Sequence, residues 1–527
     1  MIKSILSSYG NTIHDCSKEV IKSETEYICK LSGTILSTEK LEDCLIAQSI
    51  QKVFDVIEYQ TLELQPFFSS SKYDLYQIIS GLKWDPNISY KERKKKKYEK
   101  IRLYMCAAED KSAAFRDILQ LLIDSNTTKD CDSYEIADGV NTALQILADS
   151  KKDYITCVEM VLNSEVINGI NTLNIVTTLF SMLQPAEVYD FLADSNKKHR
   201  NAWIFAYFHE IPQKYIDQKE VDALYNFLMD DSDRDIHSSS YRDIGFLDKY
   251  LPVDNDVILN ASKIILKKKE YSPFIVTIYF ELQFNENYIQ PEDVVQKFIR
   301  DIKLLEQIYL CVIEYGYLTD YDGLFLHEIF SVDKTFLREY VSWFVTQEEK
   351  RRSNHNYSAN VFFLEDDYLD ILDFIIDEAI LSSEFPSITV PHIIKTLFSV
   401  DEKNHSEKSD CWVKHLIEEN YNNKEKMQYL FEALIEISIE CAYSFIPILI
   451  ACTDNYDIFK SIPLTPRSYS WFGSCVPMYS SWIEQLEKLL PIFAGLKYIK
   501  HKYRIQQLIE SYRNQIKEEE ISDILNG

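Results

Sequence analysis

Apolar positions recur at helical spacing through most of this chain. Leu45, Ile46, Ile50, Val53 and Ile57 form one stripe, and Phe115, Ile118, Leu119 and Leu122 another. Intervals of three and four place such residues on one face of an α-helix. The same pattern predicts helices near 158–162 and 176–183, then in close succession over 257–266, 291–302, 304–315, 324–330, 335–343 and 368–380. Further runs cover 391–398, 412–419, 427–439 and 444–452. Near the end, Ser481 and Glu484 have the spacing of a capping box. They predict a helix start there, with Trp482, Leu486, Leu489 and Phe493 on one face and Pro491 ending or bending it. Ile505, Leu508, Ile509, Tyr512 and Ile516 mark a last helix.

Polar or loop-rich stretches at 66–86, 230–240, 351–356 and 401–409 interrupt the stripes. They divide the chain into an N-terminal helical region (1–105), a second helical region (106–240), a run of helical repeats (241–460) and terminal capping helices (461–527). Phe330-Ser-Val-Asp333 returns 68 positions later as Phe398-Ser-Val-Asp401, each time after an apolar run and with Asp placed to cap the next helix. Short connections make neighbouring helices antiparallel. The expectation is an all-α protein, an α-solenoid of stacked helical hairpins closed by a helical cap.

Composition sharpens this picture. The 527 residues hold only 11 Gly and 14 Pro, against average usage of roughly 7% and 5%. Few helices are broken and few turns can use positive φ. The 35 Tyr and 28 Phe supply bulky groups for helix packing. Eleven scattered Cys, odd in number and without a CxxC pair, read as free thiols of a reducing cytoplasm. We find no signal peptide and no apolar run long enough for a membrane span, which predicts a cytoplasmic chain.

The net charge of −27 argues against general nucleic-acid binding. It is uneven, because residues 1–105 carry 16 Lys+Arg and 14 Asp+Glu while the rest of the chain is strongly acidic. Lys91-Glu-Arg-Lys-Lys-Lys-Lys97, with Trp84 and Tyr98 nearby, is the one dense basic run and the one place that could meet anions or bases. Lys94, Lys95, Lys96 and Lys97 are therefore candidate partner-binding residues. Trp471 and Tyr479, in an aromatic-rich stretch near the end, are two more.

Searches for chemistry return none. No P-loop, Gly-rich loop or nucleophile elbow is present, so no cofactor is expected. Asp231-Ser-Asp-Arg-Asp235 starts like a calcium loop, but Ile236 and Arg242 stand where Gly and the bidentate Glu belong. His209-Glu210 and His327-Glu328 begin like HExxH, yet no second His follows, so no metal is expected. Asp366, Asp370, Asp373 and Asp377 share one helix face opposite Leu369, Leu372, Ile375, Ile376 and Ala379. This predicts a solvated face rather than an acid/base site.

Ser470-Trp-Phe-Gly-Ser474, Val476-Pro477, the apolar run from Trp482 to Phe493 and Gly495-Leu-Lys-Tyr-Ile-Lys-His501 resemble a family ending. That family is the helical-repeat regions of large bacterial STAND-type NTPases of antiviral defence. Leu324-Phe-Leu-His-Glu-Ile-Phe-Ser-Val-Asp333, followed by Phe336-Leu-Arg-Glu-Tyr340, is similar to their repeat units. The resemblance covers about 246–527. It implies a solenoid that recognises a protein, viral in that family, and signals to an effector. An NTPase module is missing from the pattern, which leaves a non-enzymatic sensor or adaptor working through a protein partner such as an effector subunit. Two rivals are an all-α enzyme whose site is dispersed over distant helices, and an effector or toxin-like protein that binds a host target.

Overall fold

The structure, a computed structural model, describes residues 18–55, 62–80, 89–128, 131–196, 198–230, 242–285, 288–316, 320, 322–350, 359–399, 406–466 and 474–526. Among them α-helices and short 3-10 turns follow one another without a β-strand, so the protein is all-α. No helix among these residues is long and apolar enough to cross a membrane. The chain divides into two units, Met1–Ile275 and Val276–Gly527. The polar stretches at 231–240, 351–356 and 401–405, which include Asp401, lie outside the described residues.

In the first unit, helices Lys18–Ile35, Leu41–Asp55 and Ser71–Ser80 gather around Ile28, Cys29, Cys44, Ile50, Phe54 and Phe67. The next five helices begin at side-chain caps. Ser89, Asp110, Asp132, Ser150 and Asn171 each accept a hydrogen bond from the first turn of the helix they precede. Caps of this type satisfy N–H groups that have no partner inside the helix. Tyr90–Ala107 packs on Lys111–Thr127 and Ser133–Leu147, and Lys111–Thr127 also packs on Lys151–Leu162. The basic helix is thus part of the same packed series as the helices after it. Gly139 lets Ser133–Leu147 approach Ser71–Ser80, since a Cβ there would sit 2.4 Å from Ile79 Cγ2. Arg200–Glu210 is enclosed on nearly every side, with Trp203, Phe205, Tyr207 and Phe208 all buried.

The second unit repeats this habit of packing on near neighbours in the chain. Tyr368–Ser382 touches Phe336–Lys350, Pro386–Phe398 and Ser406–Asn420, and Lys424–Ile437 touches Pro386–Phe398, Ile439–Cys452 and Tyr456–Ser461. Asp333 performs the predicted role. Its Oδ1 accepts from Thr335 N at 2.8 Å, just before Phe336–Lys350.

Buried and half-buried cations link helices at a recurring offset in both units. Lys249 Nζ donates to the carbonyls of His209 and Ile211, 40 and 38 residues back. Lys268 donates to Met229 O over 39 residues, and Lys408 to Phe363 O over 45. Arg504 donates to Phe459 O and Ile462 O over 45 and 42. These acceptors lie at or near the last turns of their helices, where open carbonyls carry partial negative charge. Burial pulls the Lys249 ammonium down to about 8, against the attraction of Glu210.

Four expectations change. The stretch at 66–86, expected as a loop-rich interruption, carries the helices Gln65–Phe68 and Ser71–Ser80, while 81–86 lie outside the described residues. The helix near Ser481 spans Val476–Leu489, so Ser481 and Glu484 lie inside it. Pro477, whose fixed φ suits a first turn, sets an earlier start than the capping box. The helix then stops at Leu489, and Pro491 sits in a 3-10 turn, as its missing N–H requires. The helix expected to begin at Pro391 begins at Pro386, which leaves Pro391 inside it, and Pro447 lies inside Ile439–Cys452 as it does inside the expected run. The acidic face of Tyr368–Ser382 is solvated only in part. Asp366 and Asp370 are exposed, whereas Asp373 accepts from Trp412 Nε1 at 3.3 Å and faces His415 at 3.5 Å. Burial raises the Asp373 carboxyl above its usual range, and Asp377 pairs with Lys426.

Candidate functional site

The basic run occupies the opening turns of Tyr90–Ala107. Cations there oppose the positive end of the helix dipole and repel one another. Part of this charge is neutralised locally. Lys96 lies 3.4 Å from Glu92, and Arg102 lies 3.0 Å from Glu99. Lys97 points inward, on the face of Ile101 and Met105, and is 6% exposed. It donates to Glu135 O and Oε2, each at 2.7 Å, and sits 2.8 Å from Asp138 Oδ2. Lys97 therefore ties two helices together and is not a surface contact, as helical spacing from Ile101 dictates. Lys91, Arg93, Lys94, Lys95 and Lys100 make no ion pair among the described residues. Lys94 and Lys95 are exposed.

Lys94 stands where two adjoining cavities meet, of about 380 and 420 Å³, and Asp138 is the other residue common to both. The first runs between Ser133–Leu147 and Thr172–Met182 over Leu144 and Ile175, with Asn141, Gln145, Tyr154 and Asn174 on its walls. Arg93, Tyr90 and Tyr134 border the second, and both tyrosines are more than 70% exposed.

The acids of these walls are already engaged. Glu135 and Asp138 hold Lys97, and Asp132 caps Ser133–Leu147. Asn141 is engaged too, donating from Nδ2 to Gly169 O and accepting from Asn171 N, both at 2.9 Å. Tyr154 donates to Ile175 O at 3.3 Å, and burial pushes its hydroxyl up to about 12. The Gln145 and Asn174 carboxamides are exposed and make no hydrogen bond among the described residues. The groove thus offers two neutral amide groups and a cationic end. No sequence motif announces Gln145 or Asn174, because they lie on separate helices.

The aromatic candidates fare differently. Tyr479 is 9% exposed, stacked on Tyr512 at 5.6 Å and edge-on to Trp482 at 5.7 Å, so it packs the closing helices instead of facing a partner. Its spacing from Trp482, Leu486 and Leu489 puts it on their inward face. Trp471 lies outside the described residues.

Titratable clusters elsewhere serve helix packing. His209 Nδ1 bonds the neighbouring Glu210 carboxylate at 2.7 Å, and Thr177 donates to the same carboxylate at 2.6 Å. His327 pairs with Glu365 at 2.7 Å and His392 with Glu348 at 3.0 Å. Glu306 is 1% exposed and borders neither cavity of the groove. Burial pushes its carboxyl up to about 7, although Lys303 Nζ lies 2.9 Å from Oε2, and its Oε1 has no partner. Asp333 shares the same ammonium and is held down to about 2 by its hydrogen bonds to Thr335 and Lys303. No group of His, Cys, Asp and Glu among the described residues is arranged to hold a metal.

No family model, curated protein or solved structure matches this chain. Fold and groove define its class: an all-α protein of sequentially packed helices, with a polar groove beside an incompletely neutralised basic helix.

Proposed function

We propose that this chain is a non-enzymatic helical-repeat protein, a sensor or adaptor whose function is to hold a protein partner. The observation that carries the reading is the contrast at the groove: its acids are engaged, while Arg93 and Lys94 are not. In a chain of net charge −27, cations left in that state at a helix start oppose stability, and a binding role accounts for them. Packing between near neighbours, with polar links about 40 residues apart, supports hairpins stacked as an α-solenoid. Such an array flexes at low cost, so a partner that prefers one curvature shifts the population towards it. The bacterial antiviral setting rests on the resemblance of residues 246–527. Affinity purification from infected and uninfected cells, using wild type and a Lys94→Glu/Lys95→Glu variant, tests the reading. A partner that binds the purified wild type and is lost with the variant is expected; equal recovery of every partner overturns the assignment.

A further inference from the structure

The proposed function leaves open how the groove reads a partner, and its walls bear on that question. A carboxamide presents one acceptor oxygen and two N–H donors, which match the N–H and C=O of a peptide group without adding charge. Gln145 and Asn174 present two such groups from Ser133–Leu147 and Thr172–Met182 above an apolar floor of Leu144 and Ile175. In a folded helix or sheet the main-chain groups are already paired, so carboxamides that read the main chain need an extended segment. Direction comes from charge. Lys94 and Arg93 lie at one end and make no ion pair among the described residues, flanked by the exposed rings of Tyr90 and Tyr134. A polyphosphate strand fits poorly here, because Asp132, Glu135 and Asp138 line the same wall and repel a continuous row of phosphates.

Resting on the protein-binding reading above, we infer that the groove binds an extended peptide segment of the partner that carries one acidic side chain. Its main chain pairs with the Gln145 and Asn174 carboxamides, and an Asp or Glu side chain sits against Lys94. An adjacent apolar or aromatic residue covers Tyr134.

An immobilised library of random heptapeptides, probed with the full labelled chain, tests this. The best-retained peptide is then titrated against wild type, Lys94→Glu and the double variant Gln145→Ala/Asn174→Ala. Retained peptides should carry an acid at one fixed position. Lys94→Glu should weaken binding about tenfold, and replacing that acid by Lys in the peptide should restore it. The double variant should weaken acidic and charge-swapped peptides alike by about tenfold, as expected when two hydrogen bonds are lost. All three side chains are exposed, so unchanged melting temperatures show that these variants fold. Absence of an acidic preference, or equal binding by the double variant, overturns the inference. A labelled oligothymidylate bound in a Lys94-dependent way, with no peptide retained, also overturns it. If no heptapeptide is retained but recovery of a whole partner still depends on Lys94, the extended-segment inference fails and the protein-binding reading stands. If recovery is also indifferent to Lys94, both fail.

Discussion

The cations of Tyr90–Ala107 and those that meet helix carbonyls elsewhere in the molecule do opposite things. Lys249, Lys268, Lys408 and Arg504 are drawn to the carbonyl ends of helices about 40 residues earlier, where the local field favours positive charge. Lys91, Arg93, Lys94 and Lys95 sit at a helix start, where the field opposes them, and make no ion pair among the described residues. Lys97, only a few residues along the same helix, holds the fold by a different route, buried against the carboxylates of Glu135 and Asp138. The comparison teaches that the acceptors a cation meets, rather than density of charge in the sequence, separate a cation that holds the fold from one available to a partner.

The sharpest way to break the comparison is to remove a carbonyl-capping cation. Arg504→Ala exposes the carbonyls of Phe459 and Ile462 without a donor and should cost about 2–4 kcal/mol, read as a lower denaturant midpoint. Loss of less than half a kcal/mol would show that these links are incidental. Next in size is Lys97→Ala, which leaves Glu135 and Asp138 without their shared cation. Both acids are half exposed, so the expected loss is about 1–2 kcal/mol. Destabilisation no larger than that of Lys94→Ala would place Lys97 with the surface residues after all.

Glu306 supplies a test with a pH signature. Its carboxyl titrates near 7 in the folded chain and near the ordinary carboxylate value of about 4.3 when unfolded. The folded state thus holds the proton more tightly, and the stability this contributes is whole below about pH 4 and lost as pH rises through 7. Glu306→Gln should therefore raise stability by about 1–2 kcal/mol at pH 8.5, with the gain shrinking towards pH 5. A pH-independent difference between the two proteins would contradict the assignment. Smallest of all, Lys94→Ala and Lys95→Ala should change stability by no more than about 0.5 kcal/mol, because nothing described depends on them. A larger loss would mean that these side chains also hold the fold.

Much of the helical content was legible from stripes such as Phe115, Ile118, Leu119 and Leu122, because burial follows the 3.6-residue period directly. Helix starts were less legible where two signals compete, as Pro477 and Ser481 do. The inward positions of Lys97 and Tyr479 were also available in the text, at helical spacing from Ile101 and from Trp482, but the type of residue argued for a surface. Gln145 and Asn174 could not be found that way. Their significance depends on two helices facing each other, and no spacing rule connects them.

The long-range capping of helix ends has a consequence for the growing chain. Arg200–Glu210 completes its own hydrogen-bonded turns locally, yet the donor for its last carbonyls, Lys249, is made 40 residues later. At ordinary rates of synthesis that interval is about 2–8 s. Each such helix therefore emerges with an open end and is sealed only when the following stretch arrives, so the order in which the ribosome delivers the helices is also the order in which they lock.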